Sequence, residues 1–283
     1  MSDSAFDGYL TQWREASPQR AAAWRFLHRE ERVRYGALAA LENEWLRILR
    51  EVREPQVAAA KLGWWREEMQ RAMQGQARHP LTQVLFADVG ATAVPAACWA
   101  APIDAAMMVL APAPAPDLAA QCEGLAPLAG ALAVLETQLW FGPCVDSTRA
   151  SRVTLFARLA SGLRALATEV GYGRSPLPMN LLARHGLTID GLARDDPARR
   201  AALRDYGVEL ERGFSDAAGL SGPLTLFRAI DLRHNLLMLA RASRAEDPMA
   251  ALHAPAYGLG EVLKTWHEAR MWRSMLQRRE SRS

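Results

Sequence analysis

The spacing of apolar residues restricts this chain more than any other feature. They recur at threes and fours in almost every segment and nowhere alternate between turn signals. Leu38, Leu41, Trp45, Ile48 and Val52 draw one stripe within a helical pattern that begins near Ala21. Leu62, Trp65, Met69 and Met73 draw a second, between about Gln56 and Gln74, and Leu81, Val84, Leu85 and Val89 a third. Phe156, Leu159, Leu163, Leu166 and Val170 predict a helix over 156–170. Breakers punctuate these stripes. Glu54-Pro55 ends the first, because a residue before proline leaves the helical region, and Gly75 stops the second. Pro80 opens the third at a position where the missing N–H has no partner to lose. Asp117 is placed to cap a helix that reaches Trp140 through a bend at Pro127. Further helices are expected after Asp196-Pro197 and Gly222-Pro223, and a last one over roughly Leu259 to Gln277. With no hairpin signal and no repeat, the expectation is an all-α chain forming one domain over 1–283.

Composition narrows the class. Half of the residues are apolar and 23% charged, as in ordinary globular proteins, and the net charge is only +3. Charge alone therefore implies no nucleic-acid partner. The Arg-rich end over 270–283, with Arg270, Arg273, Arg278, Arg279 and Arg282, reads as a solvated helix end or a contact with an anionic membrane surface. Cys98, Cys122 and Cys144 are scattered without metal spacing, which suits reduced cysteines in a cytoplasmic protein, with peripheral attachment at the inner membrane face left open. The N-terminus carries acids and no apolar signal core. No continuous apolar run is long enough to span a bilayer; the richest window, Ala91 to Pro114, is interrupted by Pro95, Pro102, Asp104 and Pro112. APAPAPD, residues 111–117, is a stiff spacer read as a loop inside the domain.

Two stretches carry more than periodicity. The first is KLGWWREEMQRAMQGQARHPL, residues 61–81, in which Leu62, Trp64, Trp65, Arg66, Glu68, Gly75, His79 and Pro80 match RLxWWRxEL, a glycine and HPV in order. The second, residues 156–187, is similar to a helix ending ILRDVxED followed by GRxYLPxDLL. Leu163-Arg164, Gly173-Arg174, Leu177-Pro178 and Leu181-Leu182 match there. Together they resemble the squalene/phytoene synthase family over about residues 30 to 190, with the C-terminal third reading as generic amphipathic helix. The resemblance implies an isoprenoid-synthase-like helical bundle around a central cavity, with helices 38–52 and 156–170 facing each other across it.

That family joins prenyl diphosphates, and loss of pyrophosphate from one substrate calls for bridging Mg²⁺ held by two Asp-x-x-x-Asp pairs. An i,i+4 spacing aims both acids of a pair from one helix face. Here the resemblance puts Leu46 and Arg50 at the first pair, and Ala165 and Glu169 at the second. The acid after the Leu-Pro of the loop is Asn180. Glu42 and Glu44 are read as out of phase with the first pair. No cofactor is therefore expected, and Mg²⁺ only if transferase activity survives. The ligand-binding candidates are Arg50, Arg164, Glu169 and Arg174, with Arg164 either a bidentate phosphate partner or paired with Glu169.

A subgroup lacking the acid pairs, which includes the mitochondrial assembly factor for respiratory complex I and its bacterial relatives, is more similar still. Ala39-Ala40-Leu41, Glu44, Glu54-Pro55, Gly162 to Leu166 and the string LLARHGL over 181–187 match it. Three functions follow from the resemblance. The first is a non-catalytic protein holding an isoprenoid-like lipid or a protein partner in the old pocket. The second is an active prenyl-diphosphate transferase in which Arg50 and Arg164 replace metals. The third is a purely structural interaction protein. Of the motif residues, Trp64 and Trp65 cannot both face the core. Arg66 and Glu68 read as a solvated face or a buried network, and His79 and His185 as helix-end caps.

Overall fold

The computed structural model describes residues 3–110, 114–254 and 259–280. It is about 77% helical, with no strand among the described residues. In chain order the helices are α1 (Asp3–Ala16), α2 (Pro18–Trp24), α3 (Arg29–Glu51), α4 (Pro55–Met73), α5 (Pro80–Phe86), α6 (Val89–Thr92), α7 (Ala96–Met108) and α8 (Leu118–Phe141). They continue with α9 (Thr148–Arg164), α10 (Leu166–Gly171), α11 (Met179–Arg184), α12 (Pro197–Gly219), α13 (Leu226–Ala242), α14 (Pro248–His253) and α15 (Leu259–Glu280).

Most boundaries follow the capping chemistry of the sequence. Proline opens α2, α4, α5, α12 and α14. Asp117 accepts from Ala120 N at the start of α8, and Asp196 from Arg199 N at the start of α12. Gly75, at φ +74°, closes α4. The helix expected after Gly222-Pro223 is α13, starting at Leu226, where the Thr225 hydroxyl accepts from Arg228 N. Two expectations are corrected. The pattern from Ala21 is two helices, because residues 25–28 turn and His28 with Glu31 forms a capping box that restarts the chain as α3. The helix expected over 156–170 breaks at Ala165, where the Arg164 carbonyl turns to His253 Nε2 of α14 at 3.0 Å.

Two apolar clusters form the interior. In one, Trp140 of α8 stacks on Tyr35 of α3 at 3.7 Å and meets Phe227 and Trp272 edge-on. The other joins α9, α12, α13 and the segment 177–192. Helix α8 is long and apolar enough to cross a bilayer by length and composition, although no such segment was expected. Its C-terminal half, with Leu128, Leu132, Leu135 and Leu139, is buried inside the bundle. The end of the Ala-Pro segment is pinned, since Met179 N and Asn180 N of α11 donate to the carbonyls of Ala115 and Pro116.

At Gly213 of α12 a Cβ would lie 2.1 Å from the Phe156 ring of α9, so the ring occupies the space that a side chain would need. By contrast a Cβ on Gly130 of α8 meets nothing within 4 Å. Gly213→Ala should therefore destabilise the fold by about 1–3 kcal/mol through overpacking. Gly130→Ala should stabilise it by roughly 0.5–1 kcal/mol by restricting the unfolded chain. Urea unfolding of the two variants checks both signs.

Candidate functional site

The interior charge of this protein is concentrated on one arginine. Arg228, 2% exposed on α13, donates through Nη2 to both carboxylate oxygens of Glu42 at 3.0 Å. Its Nε lies 2.5 Å from Glu136 of α8, and its Nη1 3.7 Å from Asp231 one turn along α13. Arg20 of α2 closes the other side, donating through Nε to Asp231 at 3.0 and 3.1 Å and standing 3.8 Å from Glu42. Thr225 Oγ1 donates to Glu136 at 2.6 Å. Burial alone would raise all three acids. The two guanidiniums overcome it for Glu42 and Asp231, whose pKa values fall below the ordinary range. Glu136 keeps a raised pKa, because burial and the nearby Glu42 outweigh Arg228 there.

Glu42 thus corrects the reading of α3. It stands four residues, one turn, before Leu46, and so shares the face that carries Leu46 and Arg50. Glu44 is on the other side, bonded to Arg47 at 2.7 Å. Helix α9 packs on α8, α12 and α13. On it Ala157, Arg158 and Ser161 are half-buried, as are Leu46 and Arg50 of α3. Arg158 lies close enough to α3 to feel the charges of Glu42 and Arg50.

Arg158 is the residue that the sequence reading missed. Among the described residues its Nε is sealed from solvent without a hydrogen-bond partner. Burial pulls its pKa down to about 10; Glu42 opposes that shift, while Arg50, Arg20 and Arg228 reinforce it. Arg164 donates through Nη1 to Asn235 Oδ1 at 2.9 Å and to Met238 Sδ, so the expected pairing with Glu169 does not form. Burial lowers its pKa as well, with Asp231 opposing. Glu169 instead takes Arg174 Nε at 2.8 Å. Arg174 and Arg53 lie over the Tyr172 ring at 5.1 and 4.7 Å, which brings the end of α3 to the loop after α10. Arg50 sits at this rim beside Glu51 at 3.0 Å.

The motif residues divide into supports and surface. Glu68, fully buried, accepts from Arg78 N, His79 N and Thr82 Oγ1 at 2.7, 2.9 and 2.6 Å, which ties the loop before Pro80 to α4. Arg66 is exposed, 3.2 Å from Asp104. Trp65 is buried and Trp64 exposed, as adjacency required. His79 Nδ1 accepts from Leu81 N as a cap. His185, at the end of α11, lies 2.9 Å from Asp205. Leu177 and Pro178 are buried in a loop whose Pro176 carbonyl accepts from Gln121, itself held by Tyr206.

A sequence profile of squalene/phytoene synthase matches residues 13–259. The chain belongs to the squalene/phytoene synthase family. The match runs well into the C-terminal third, which had been read as generic helix, and it includes Arg228, Asp231 and Asn235. No curated protein matches the chain by sequence. Among solved structures, a ligand-bound dehydrosqualene synthase superposes with a TM-score of 0.70 at 11% identity, covering 97% of each chain. The squalene synthase HpnC of Alicyclobacillus acidocaldarius gives 0.60 at 17% identity over 85% of this chain and 94% of its own. These likenesses establish the fold.

The Mg²⁺ that the family implies does not fit the residues present. Leu46, Arg50 and Ala165 offer no ligand, and Glu169 is engaged by Arg174. Glu42, Glu136 and Asp231 are spread around two guanidiniums instead of facing an open coordination site. Among the described residues no three His, Cys, Asp or Glu side chains converge as a metal site.

Removing Arg228 would leave Glu42 and Glu136 without their main counter-charge and Asp231 with Arg20 alone. Arg228→Ala should cost about 3–5 kcal/mol in chemical denaturation, far more than loss of the exposed Arg66–Asp104 pair. Acid should act through the same group. Glu42 and Asp231 have lowered folded-state pKa values, so their stabilisation is complete above their unfolded values of 4.5 and 3.8. It is lost as pH falls through the folded values; Glu136, shifted upward, acts in the opposite sense. Thermal midpoints should fall steeply below about pH 4, and Asp231→Asn, though less stable at pH 7, should show a shallower acid slope.

Proposed function

We propose that this squalene/phytoene synthase family member is a binder and not a catalyst, holding an isoprenoid-like lipid with an anionic head between α3 and α9 without a metal. The observation that carries this reading is Arg158, a half-buried guanidinium whose Nε is sealed from solvent without a partner among the described residues. An uncompensated buried cation costs several kcal/mol, and an anionic group from a ligand would offset that cost. Arg50 and Arg164 flank the same space and supply further donors, while the apolar wall beside them, from Leu46 to Ala157, suits a prenyl chain. Lowered guanidinium pKa values at Arg158 and Arg164 agree with a site short of negative charge. Catalysis by the family's route asks for acids aimed at a shared metal, and those positions carry Leu46, Arg50 and Ala165. An assembly role for a protein partner is compatible with the same pocket, and a contact with the membrane surface would supply the lipid.

The test is thermal stabilisation by farnesyl diphosphate with EDTA present. The wild type should be stabilised, and Arg158→Met should fold with equal or higher stability yet bind at least about ten-fold more weakly, as expected for loss of a charge-assisted contact. Arg164→Ala should weaken binding in the same direction. No shift for the wild type near millimolar ligand would leave the purely structural reading in its place. Sustained pyrophosphate release with Mg²⁺, abolished in Glu169→Ala, would establish the active transferase.

A further inference from the structure

A second site lies on the opposite face of α3 and is independent of the lipid reading. A groove of about 610 Å³ runs between α3, α4 and the N-terminal helix, walled by Tyr9, Trp64, Trp65 and His79. The rings converge on His79, with centroids at 4.7 Å from Tyr9, 5.9 Å from Trp64 and 4.6 Å from Trp65. Trp64 keeps 44% of its surface exposed here, a large aromatic face that nothing in the fold covers.

The polar element of the groove is Glu44. It is only 7% exposed, and its Oε2 takes Arg47 Nη2 at 2.7 Å. Its Oε1 is sealed from solvent and has no donor. A carboxylate oxygen in that state lacks the hydrogen bonds that burial normally demands, and the deficit is a few kcal/mol. The charged groups around it do not fill the gap. Arg47 is spent on the other oxygen, and Lys61 is exposed on the rim. Glu51 is turned to Arg50. Burial leaves Glu44 with a raised pKa that Arg47 only partly offsets. A buried acid short of one donor, set beside aromatic faces, suits an organic cation: a small turn of the carboxylate toward the groove would bring Oε1 to a ligand N–H, while the ring quadrupoles attract the charge.

We propose that this groove binds a protonated amine or guanidinium carried on a short apolar body, with Glu44 Oε1 as its acceptor and Trp64 as its stacking face. The same chemistry can come from a free small amine or from a lysine or arginine side chain of another protein. Arg47 and Lys61 set a selectivity: they repel a diffuse polycation and favour a single charge delivered from the aromatic side.

Titration of the full chain with n-butylammonium and n-butylguanidinium, followed by tryptophan fluorescence and ligand-observed NMR, tests this. Saturable binding is expected, at least about ten-fold tighter than for the neutral 1-pentanol. Glu44→Gln should erase that preference without loss of thermal stability, and Trp64→Ala should weaken both cations. Tighter binding of blocked lysine or arginine amides than of the alkyl cations assigns the site to a protein side chain; the reverse assigns it to a free amine. Equal binding of 1-pentanol, or no saturable binding to the wild type while Trp64 fluorescence reports a folded protein, would overturn the proposal.

Discussion

Arg228 is the constraint on which the bundle depends. Its guanidinium reaches acids from α3, α8 and α13, and Arg20 brings in α2, so four helices converge on a volume that excludes water. In such a place the desolvation cost of each ion is several kcal/mol, and only near-ideal geometry recovers it. The consequence is positional. None of these helices can slide by one residue without stranding a charge, so the network sets a register that apolar packing alone would leave looser.

That register also fixes the chemistry available in the interior. The acids within reach of the space between α3 and α9 are already committed to Arg20 and Arg228, and the cations facing it are not all matched. Two buried arginines with three buried acids nearly balance; adding Arg158 and Arg164, with Arg50 paired to Glu51, tips the surroundings to positive. On the proposed reading this part of the interior seeks an anion, the inverse of a site whose acids seek a metal. The inversion needs no change of backbone, since positions that a metal-dependent enzyme would give to acids need only carry other side chains on the same helix face.

Much of the fold was legible because helix periodicity and capping are local signals. The stripe from Leu38 to Val52, the cap at Asp117 and the stop at Gly75 each rest on residues within one or two turns. The break at Ala165 was not, because it depends on His253, nearly ninety residues away in sequence. The candidate site was legible only in part. The phase argument against the acids of α3 holds for Glu44 and fails for Glu42, one full turn before Leu46. The lone Glu136 in the apolar run of α8, and Arg228, Asp231 and Asn235 at threes and fours in α13, were the signals available for the network. A charged residue on an apolar helix face is a statement about burial, and it cannot be paired with its partner until tertiary structure is known.

The motif strings and the lost metal ligands then have a common explanation. Glu68 gathers two backbone N–H groups and a hydroxyl so that the loop before Pro80 is seated on α4, and Trp65 packs beneath it. Leu177 and Pro178 anchor the loop that enters α11, held from α8 and α12 through Gln121 and Tyr206. These residues build the walls; none of them touches the space beside Arg158. The positions that the resemblance gives to metal-binding acids are a separate layer: Leu46, Arg50 and Ala165 are only half-buried, and replacing them strands no buried polar group. The walls cannot be replaced in this way, because each of their polar groups would be left buried and unpaired. A chain can therefore keep the outline of the family fold while the side chains at those few positions vary.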